Sequence, residues 1–144
     1  MSKKKDNNIS FKLLAIEILD FSLASHKQIP ILATFQFDIN LEHRVNNDKK
    51  LVTVVYNISV LSEKKEQLFG HVKTSCIYQI HNFNDFFDIE NKKLKLPDEI
   101  TTTLNSISLS TTRGIMFSLF RGTLLQYAVL PLVDPKAFKI QSKK

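Results

Sequence analysis

In LVTVVYNISVL, residues Leu51 to Leu61, the side chains of Val52, Val54, Tyr56, Ile58 and Val60 occupy every second position, with Thr53, Asn57 and Ser59 between them. Successive side chains of a strand point to opposite faces, so this spacing predicts a strand with one packed and one wet side. The flanking segments repeat the pattern. FQFDINLEHRV sets Phe35, Phe37, Ile39 and Leu41 against Gln36, Asp38, Asn40 and Glu42. LFGHVKTSCIYQI sets Gly70, Val72, Thr74, Cys76, Tyr78 and Ile80 against His71, Lys73, Ser75 and Gln79. The links between them, RVNNDKK and LSEKKEQL, are short and polar, which predicts an antiparallel meander. Upstream, FKLLAIEILDFSL reads as a fourth strand whose alternation slips by one residue near Leu14, the mark of a bulge. Downstream, HNFNDFFDIENKKLK reads as a polar, aromatic loop.

A long helix is predicted from LPDEI onward. Pro97 suits the first helical position, and Asp98 and Glu99 complement the positive end of the helix dipole. Ile100, Leu104, Ile107, Thr111, Ile115 and Leu119 recur at threes and fours and form the stripe expected to lie on the sheet. An interruption is conceivable near Thr111 and Thr112 or at Gly114, and Arg121-Gly122 supplies a basic last turn and a left-handed cap. A short second helix is expected at DPKAF, with Asp134 as cap and Pro135 at its first position. The fold class is therefore α+β: a four-stranded antiparallel sheet with one long and one short C-terminal helix, joined by an extended crossover connector. One domain over residues 9–138 is expected, between a flexible basic start, 1–8, and a basic tail, 139–144.

Composition narrows the function classes. A chain of 144 residues with 43% hydrophobic and 24% charged residues can bury one respectable core. Its longest apolar run, Leu124 to Val133, includes Gln126 and is far shorter than the roughly 20 residues of a membrane-spanning helix. The start, MSKKKDNN, lacks the apolar segment of a signal peptide, and a single cysteine, Cys76, precludes an intramolecular disulfide; the reducing cytoplasm is the expected compartment. The net charge of +6 suggests nucleic acid until it is located: residues 9–133 carry only +1, the remainder lying in the two ends. Solvated terminal lysines account for it without a basic folded face.

The chain shows no catalytic constellation. Three glycines, Gly70, Gly114 and Gly122, make no phosphate-cradling loop or dinucleotide fingerprint, so no cofactor is expected. The four histidines, His26, His43, His71 and His81, form no close ligand pair, and Cys76 falls on the strand face opposite His71 and His81; no metal site is expected. Asp85 and Asp88 beside Phe83, Phe86 and Phe87 fit a loop clamped by its aromatics better than a cation site. Arg113 and Arg121, which could hold an anion, are expected to be solvated or paired with Glu99 or Asp134. The protein is expected not to be an enzyme.

That leaves RGTLLQYAVLPLVDP, Arg121 to Pro135. Its Leu124, Leu125, Tyr127, Val129, Leu130, Leu132 and Val133 are too many apolar side chains for a surface loop, and an exposed apolar segment marks an oligomer interface or a transient partner. With it, the whole order resembles the SecB export-chaperone family: a first strand at Phe11, then QFDINLE, VVYNISV, LFGHVKTSCIYQI, a long helix ending in Arg121-Gly122-Thr123, then Gln126, Leu130-Pro131 and an aromatic at Phe138. The likeness runs from about Phe11 to Phe138. It implies a dimer of dimers, a homotetramer that binds non-native polypeptides without ATP, whose clients are preproteins or antitoxins. Matching positions imply a client groove from Ile39, Leu41, Phe69, Tyr127, Leu130, Leu132 and Phe138. They imply an oligomer interface at Gly70, Val72, Thr74 and Cys76, with small Gly70 allowing close approach. Of the acidic positions that dock the translocase motor in that family, Asp20 matches and Ala24 departs. The rival readings are a homo-oligomeric scaffold that binds no client and a basic nucleic-acid-binding protein, the latter with binding that falls steeply with salt and depends on the charged ends.

Overall fold

The computed structural model describes residues 10–24 and 34–133, and the backbone of 141–142. Along the chain run β1 (Phe11–Leu23), β2 (Gln36–Asn46), β3 (Leu51–Leu61) and β4 (Leu68–Ile80). They are followed by α1 (Phe83–Phe86), β5 (Phe87–Asp88), β6 (Lys93–Leu94), α2 (Asp98–Phe120) and β7 (Gln141–Ser142). The four long strands form an antiparallel sheet in the order β1-β4-β3-β2. β7 adds a two-residue parallel pairing beside Glu42 and His43 of β2, so part of the expected tail belongs to the sheet. The short C-terminal helix at DPKAF lies outside the described residues, as do the basic start and Phe138.

The alternation in β3 is carried out in three dimensions. Val52, Val54, Tyr56, Ile58 and Val60 are all buried, and across the ladder they face Val72, Thr74, Cys76 and Tyr78 of β4 or their neighbours on β2. β1 needs two irregularities rather than one: its register on β4 shifts at Leu14 and again at Leu19. Each extra residue resets the parity of the strand. Phe11, Leu13, Ile16, Ile18, Phe21 and Leu23 consequently all pair with the inward positions of β4, although they are spaced alternately by two and three. The segment expected to be an irregular loop contains α1 and the β5–β6 hairpin. Phe83 is buried there and stacked on Phe87 with centroids 5.5 Å apart. Asp88 accepts hydrogen bonds from the Asn91 side chain at 2.7 Å and from the Glu90 amide at 3.1 Å, and the Asn91 bonds lower its carboxyl pKa. Asp88 is thus a turn former, and among the described residues no cluster of acidic, His or Cys side chains could hold a metal.

α2 runs uninterrupted, with Pro97 as its N-cap residue rather than its first helical residue. Its buried face is not the expected stripe. Leu104 is shared, but the other buried residues are Asn105, Ser108, Leu109, Thr112, Met116 and Phe120, while Ile107, Thr111, Ile115 and Leu119 are only half-buried. The physical reason is a polar seam. Ser108 and Thr112 donate to the carbonyls of Leu104 and Ser108 one turn back, both at 2.7 Å. Each hydroxyl has one proton, so Tyr78 and Thr74 are the donors across the interface, at 2.8 Å to Ser108 and 2.8 Å to Thr112. Tyr56 donates to the Asn105 carbonyl at 2.9 Å, and His43 Nε2 lies 2.6 Å from the Asn105 side-chain oxygen. The hydroxyls that hydropathy would place in water are satisfied here without it.

A candidate polypeptide-binding site

The sheet and α2 position a surface segment, residues 121–133, whose course follows from a few local bonds. Gly122 adopts a φ of 75°, the left-handed conformation glycine tolerates best, and so turns the chain out of α2. Thr123 closes that turn: its hydroxyl donates to the Phe120 carbonyl at 2.7 Å and accepts from the Leu125 amide at 3.1 Å. The Gln126 side chain accepts from the Gly122 amide at 3.3 Å, and the amides of Gln126 and Ala128 reach the carbonyls of Thr123 and Leu125. The crossover therefore begins as a chain of tight turns. From residue 129 to 133 it has neither helix nor strand structure.

These turns divide the apolar side chains into two rows. Leu125, Ala128 and Leu130 point inward and are buried. Leu125 lies over Gly70 of β4, where an added Cβ would stand 2.6 Å from its Cδ1. Burying a leucine fully contributes about 1.5–3 kcal/mol, so Leu125 and Leu130 anchor the segment. Leu124, Tyr127, Val129 and Leu132 point outward: Tyr127 is 72% exposed and Leu132 90%. Beside the outer row, an open cleft of about 450 Å³ separates the ends of β1 and β4 from the crossover, between Leu23, Ala24 and Phe69 on one side and Gly122 to Gln126 on the other. At the far end, Arg113 of α2 reaches over to the crossover backbone, its Nε donating to the Leu130 carbonyl at 2.9 Å and its Nη2 to the Pro131 carbonyl at 3.0 Å. The pairing expected for Arg113 with Glu99 is not formed, and Asp134 lies outside the described residues. Arg121 instead sits over the Phe117 ring, 5.5 Å from its centroid.

Of the seven residues implied as a client groove, the structure exposes Tyr127 and Leu132 and half-exposes Ile39. Leu41, Phe69 and Leu130 are instead core residues of this chain, and Phe138 is outside the described residues. Leu124 and Val129, which the resemblance does not implicate in the groove, belong to its outer row. In a segment without strand or helix periodicity, nothing in the residue order separates Leu130 from Leu132. Gly70, Val72, Thr74 and Cys76, the residues implied as an oligomer interface, are buried within the single chain, with Thr74 bonded to Thr112 of α2 and Gly70 beneath Leu125 of the crossover. Gly70 does permit a close approach, but that of Leu125.

A second apolar surface comes from β1. α2 packs over β3 and β4, and β1 reaches it chiefly through Phe21, whose ring centroid is 6.1 Å from that of Phe120. Leu13, Ile16, Ile18 and Leu23 on the same face, and Leu14 and Leu19 at the bulges, are all exposed. β1 is also the last strand of the sheet, so one of its edges pairs with no other strand among the described residues. On the opposite, polar face Asp20 accepts from His71 Nδ1 at 2.8 Å, and His71 Nε2 meets the side chain of Asn57. Cys76 is buried, and burial raises its thiol pKa away from the reactive thiolate. No helix among the described residues is long and apolar enough to cross a membrane.

No protein-family model matches the chain, and no curated protein matches it. Among solved structures, the chain is similar to the SecB-like chaperone Rv1957 of Mycobacterium tuberculosis, in complex with a ChAD peptide from the HigA1 antitoxin. The TM-score is 0.55 at 14% sequence identity, over 85% of this chain and 84% of that one. The fold is SecB-like.

Proposed function

We propose that this SecB-like fold is an ATP-independent holdase, which captures non-native polypeptides along the outer row of the crossover. The observation that carries the reading is the split of that segment. Its inner leucines fasten it to the core, leaving Leu124, Tyr127, Val129 and Leu132 exposed and outside the core of the described residues. An unfolded client gains by burying its own apolar side chains against such a row, and non-directional contacts tolerate many client sequences. The peptide bound to Rv1957 supports a polypeptide client, whether antitoxin or preprotein. Client binding needs no bond-breaking chemistry, in keeping with a non-enzymatic role.

Assembly into a homotetramer belongs to the same proposal, with a new location. β1 offers an edge that pairs with no other strand among the described residues and an exposed apolar face, the two features that a second copy of the strand can cover. Native mass and client aggregation measured on one sample test both parts. The wild-type protein is expected as an oligomer that delays aggregation of a chemically unfolded client. Replacing Tyr127, Val129 and Leu132 with serine should abolish that delay at unchanged native mass, whereas Ile16→Lys with Ile18→Lys should shift the mass to monomer. A folded oligomer that leaves aggregation untouched sinks the holdase reading and leaves a scaffold.

A further inference from the structure

Arg113 carries a full charge to a place where the described residues hold no acidic partner for it. Its guanidinium is directed instead at two successive main-chain carbonyls, Leu130 at 2.9 Å and Pro131 at 3.0 Å. The segment around them joins no helix or sheet, so no backbone ladder supplies their donors, and the guanidinium does. Ala128 is the last crossover residue whose amide bonds within the segment among the described residues. Beyond it, among the described residues, the burial of Leu130, the packing of half-buried Val133 against the core and the fork from Arg113 hold the chain. The planar guanidinium presents two donors to two acceptors at once, which a lysine ammonium on its flexible stem does not reproduce.

We infer that Arg113 is the positioning residue of the binding site: it holds the Val129–Val133 backbone in one course, so that Val129 and Leu132 face outward before any client arrives. This rests on the holdase reading for its consequence in binding, but not for the pinning itself. A pre-ordered segment has less conformational entropy to lose when a client docks, and affinity rises accordingly.

Backbone 15N relaxation of the deuterated full chain, free and saturated with reduced, carboxymethylated α-lactalbumin, tests both halves. In Arg113→Met, which keeps an aliphatic stem and loses every donor, the order parameters of residues 129, 130, 132 and 133 should fall from the rigid range of about 0.85 to below about 0.6, with Arg113→Lys intermediate. The Kd for the probe should rise about tenfold in the same order. In the saturated complex the difference in order parameters between variant and wild type should collapse, because the client then supplies the ordering; a residue needed only for the fold would not produce that convergence. Native-state alkylation of buried Cys76 should stay as slow as in the wild type, showing the core closed. Unchanged order parameters in both variants overturn the pinning, and lowered order parameters with unchanged Kd overturn the role in binding. A wild-type protein that fails to bind the probe ends the holdase reading and the binding half together, while the relaxation of the free protein still decides the pinning. If Arg113→Met does not fold, Arg113→Lys alone decides on the same readings.

Discussion

The α2–sheet interface and the crossover lie over the same core, and they treat polarity in opposite ways. Under α2, polar groups are buried and apolar ones are left half-exposed: Asn105, Ser108 and Thr112 face the sheet while Ile107 and Ile115 sit at the margins. In the crossover, apolar side chains are left in water at Tyr127, Val129 and Leu132. A buried hydroxyl is tolerable when its one proton and its acceptor are both engaged, as in the seam. An exposed apolar row brings the described core no comparable gain. On the proposed function, rigidity belongs to the first surface and recognition to the second.

The difference can be broken at the anchors first. Leu125→Ala and Leu130→Ala each remove a buried side chain and should cost about 2–5 kcal/mol in chemical denaturation. Leu132→Ser, two residues from one of those anchors, should stay within about 0.5 kcal/mol while weakening client capture. If Leu130 and Leu132 behave alike, the division into two rows is wrong. Next comes the seam: Asn105→Ala strands His43 Nε2 and should cost about 1–3 kcal/mol. Gly70→Ala should cost about 1 kcal/mol, because Leu125 must shift to admit the methyl group, and the truncated Leu125→Ala background should relieve most of that loss.

The smallest effect is a pH dependence centred on His43. Burial lowers its pKa below the usual value near 6.5, outweighing the Asn105 hydrogen bond that raises it. The folded state therefore favours the neutral ring. Above the ordinary pKa both states are neutral and nothing is lost. As pH falls below it, the unfolded chain takes up the proton first, and stability declines until the folded-state pKa is passed. Thermal melts from pH 8 to 5 should show this decline, and His43→Gln should flatten it; equal slopes for the two proteins would remove His43 from the account.

Where the residues are periodic, the fold could be read directly. The inward rows of β3 and β4 follow the alternation, although Val55 and Ser75 on the other face are buried as well; the slip at Leu14 does mark a bulge, and Gly122 does turn the chain at positive φ. The second bulge, at Leu19, is hidden in the residue order because Ile18 and Leu19 are both apolar, and hydropathy alone cannot tell which is the extra residue. The buried face of α2 is hidden for a different reason. Its polar residues are acceptable in the core only because Tyr56, Thr74 and Tyr78 lie opposite, and that pairing joins positions far apart in the chain. The crossover combines both difficulties. Its composition marks it as a surface for something, but Leu130 and Leu132 are the same residue type in an irregular segment, and the partner of Arg113 is main chain, which leaves no trace in side-chain identity.

The two bulges in β1 have a further consequence, for selectivity between chains. A straight, evenly spaced edge will accept nearly any extended peptide, which is how fibrils begin. At Leu14 and Leu19 the spacing of main-chain donors and acceptors along β1 is broken twice within six residues. A stranger with a regular ladder can match only the short stretches between the breaks, whereas a strand with the same two irregularities can compensate for them along its whole length. In the proposed assembly through β1, the bulges would serve as a molecular notch code, favouring a like copy over a misfolded client at that edge.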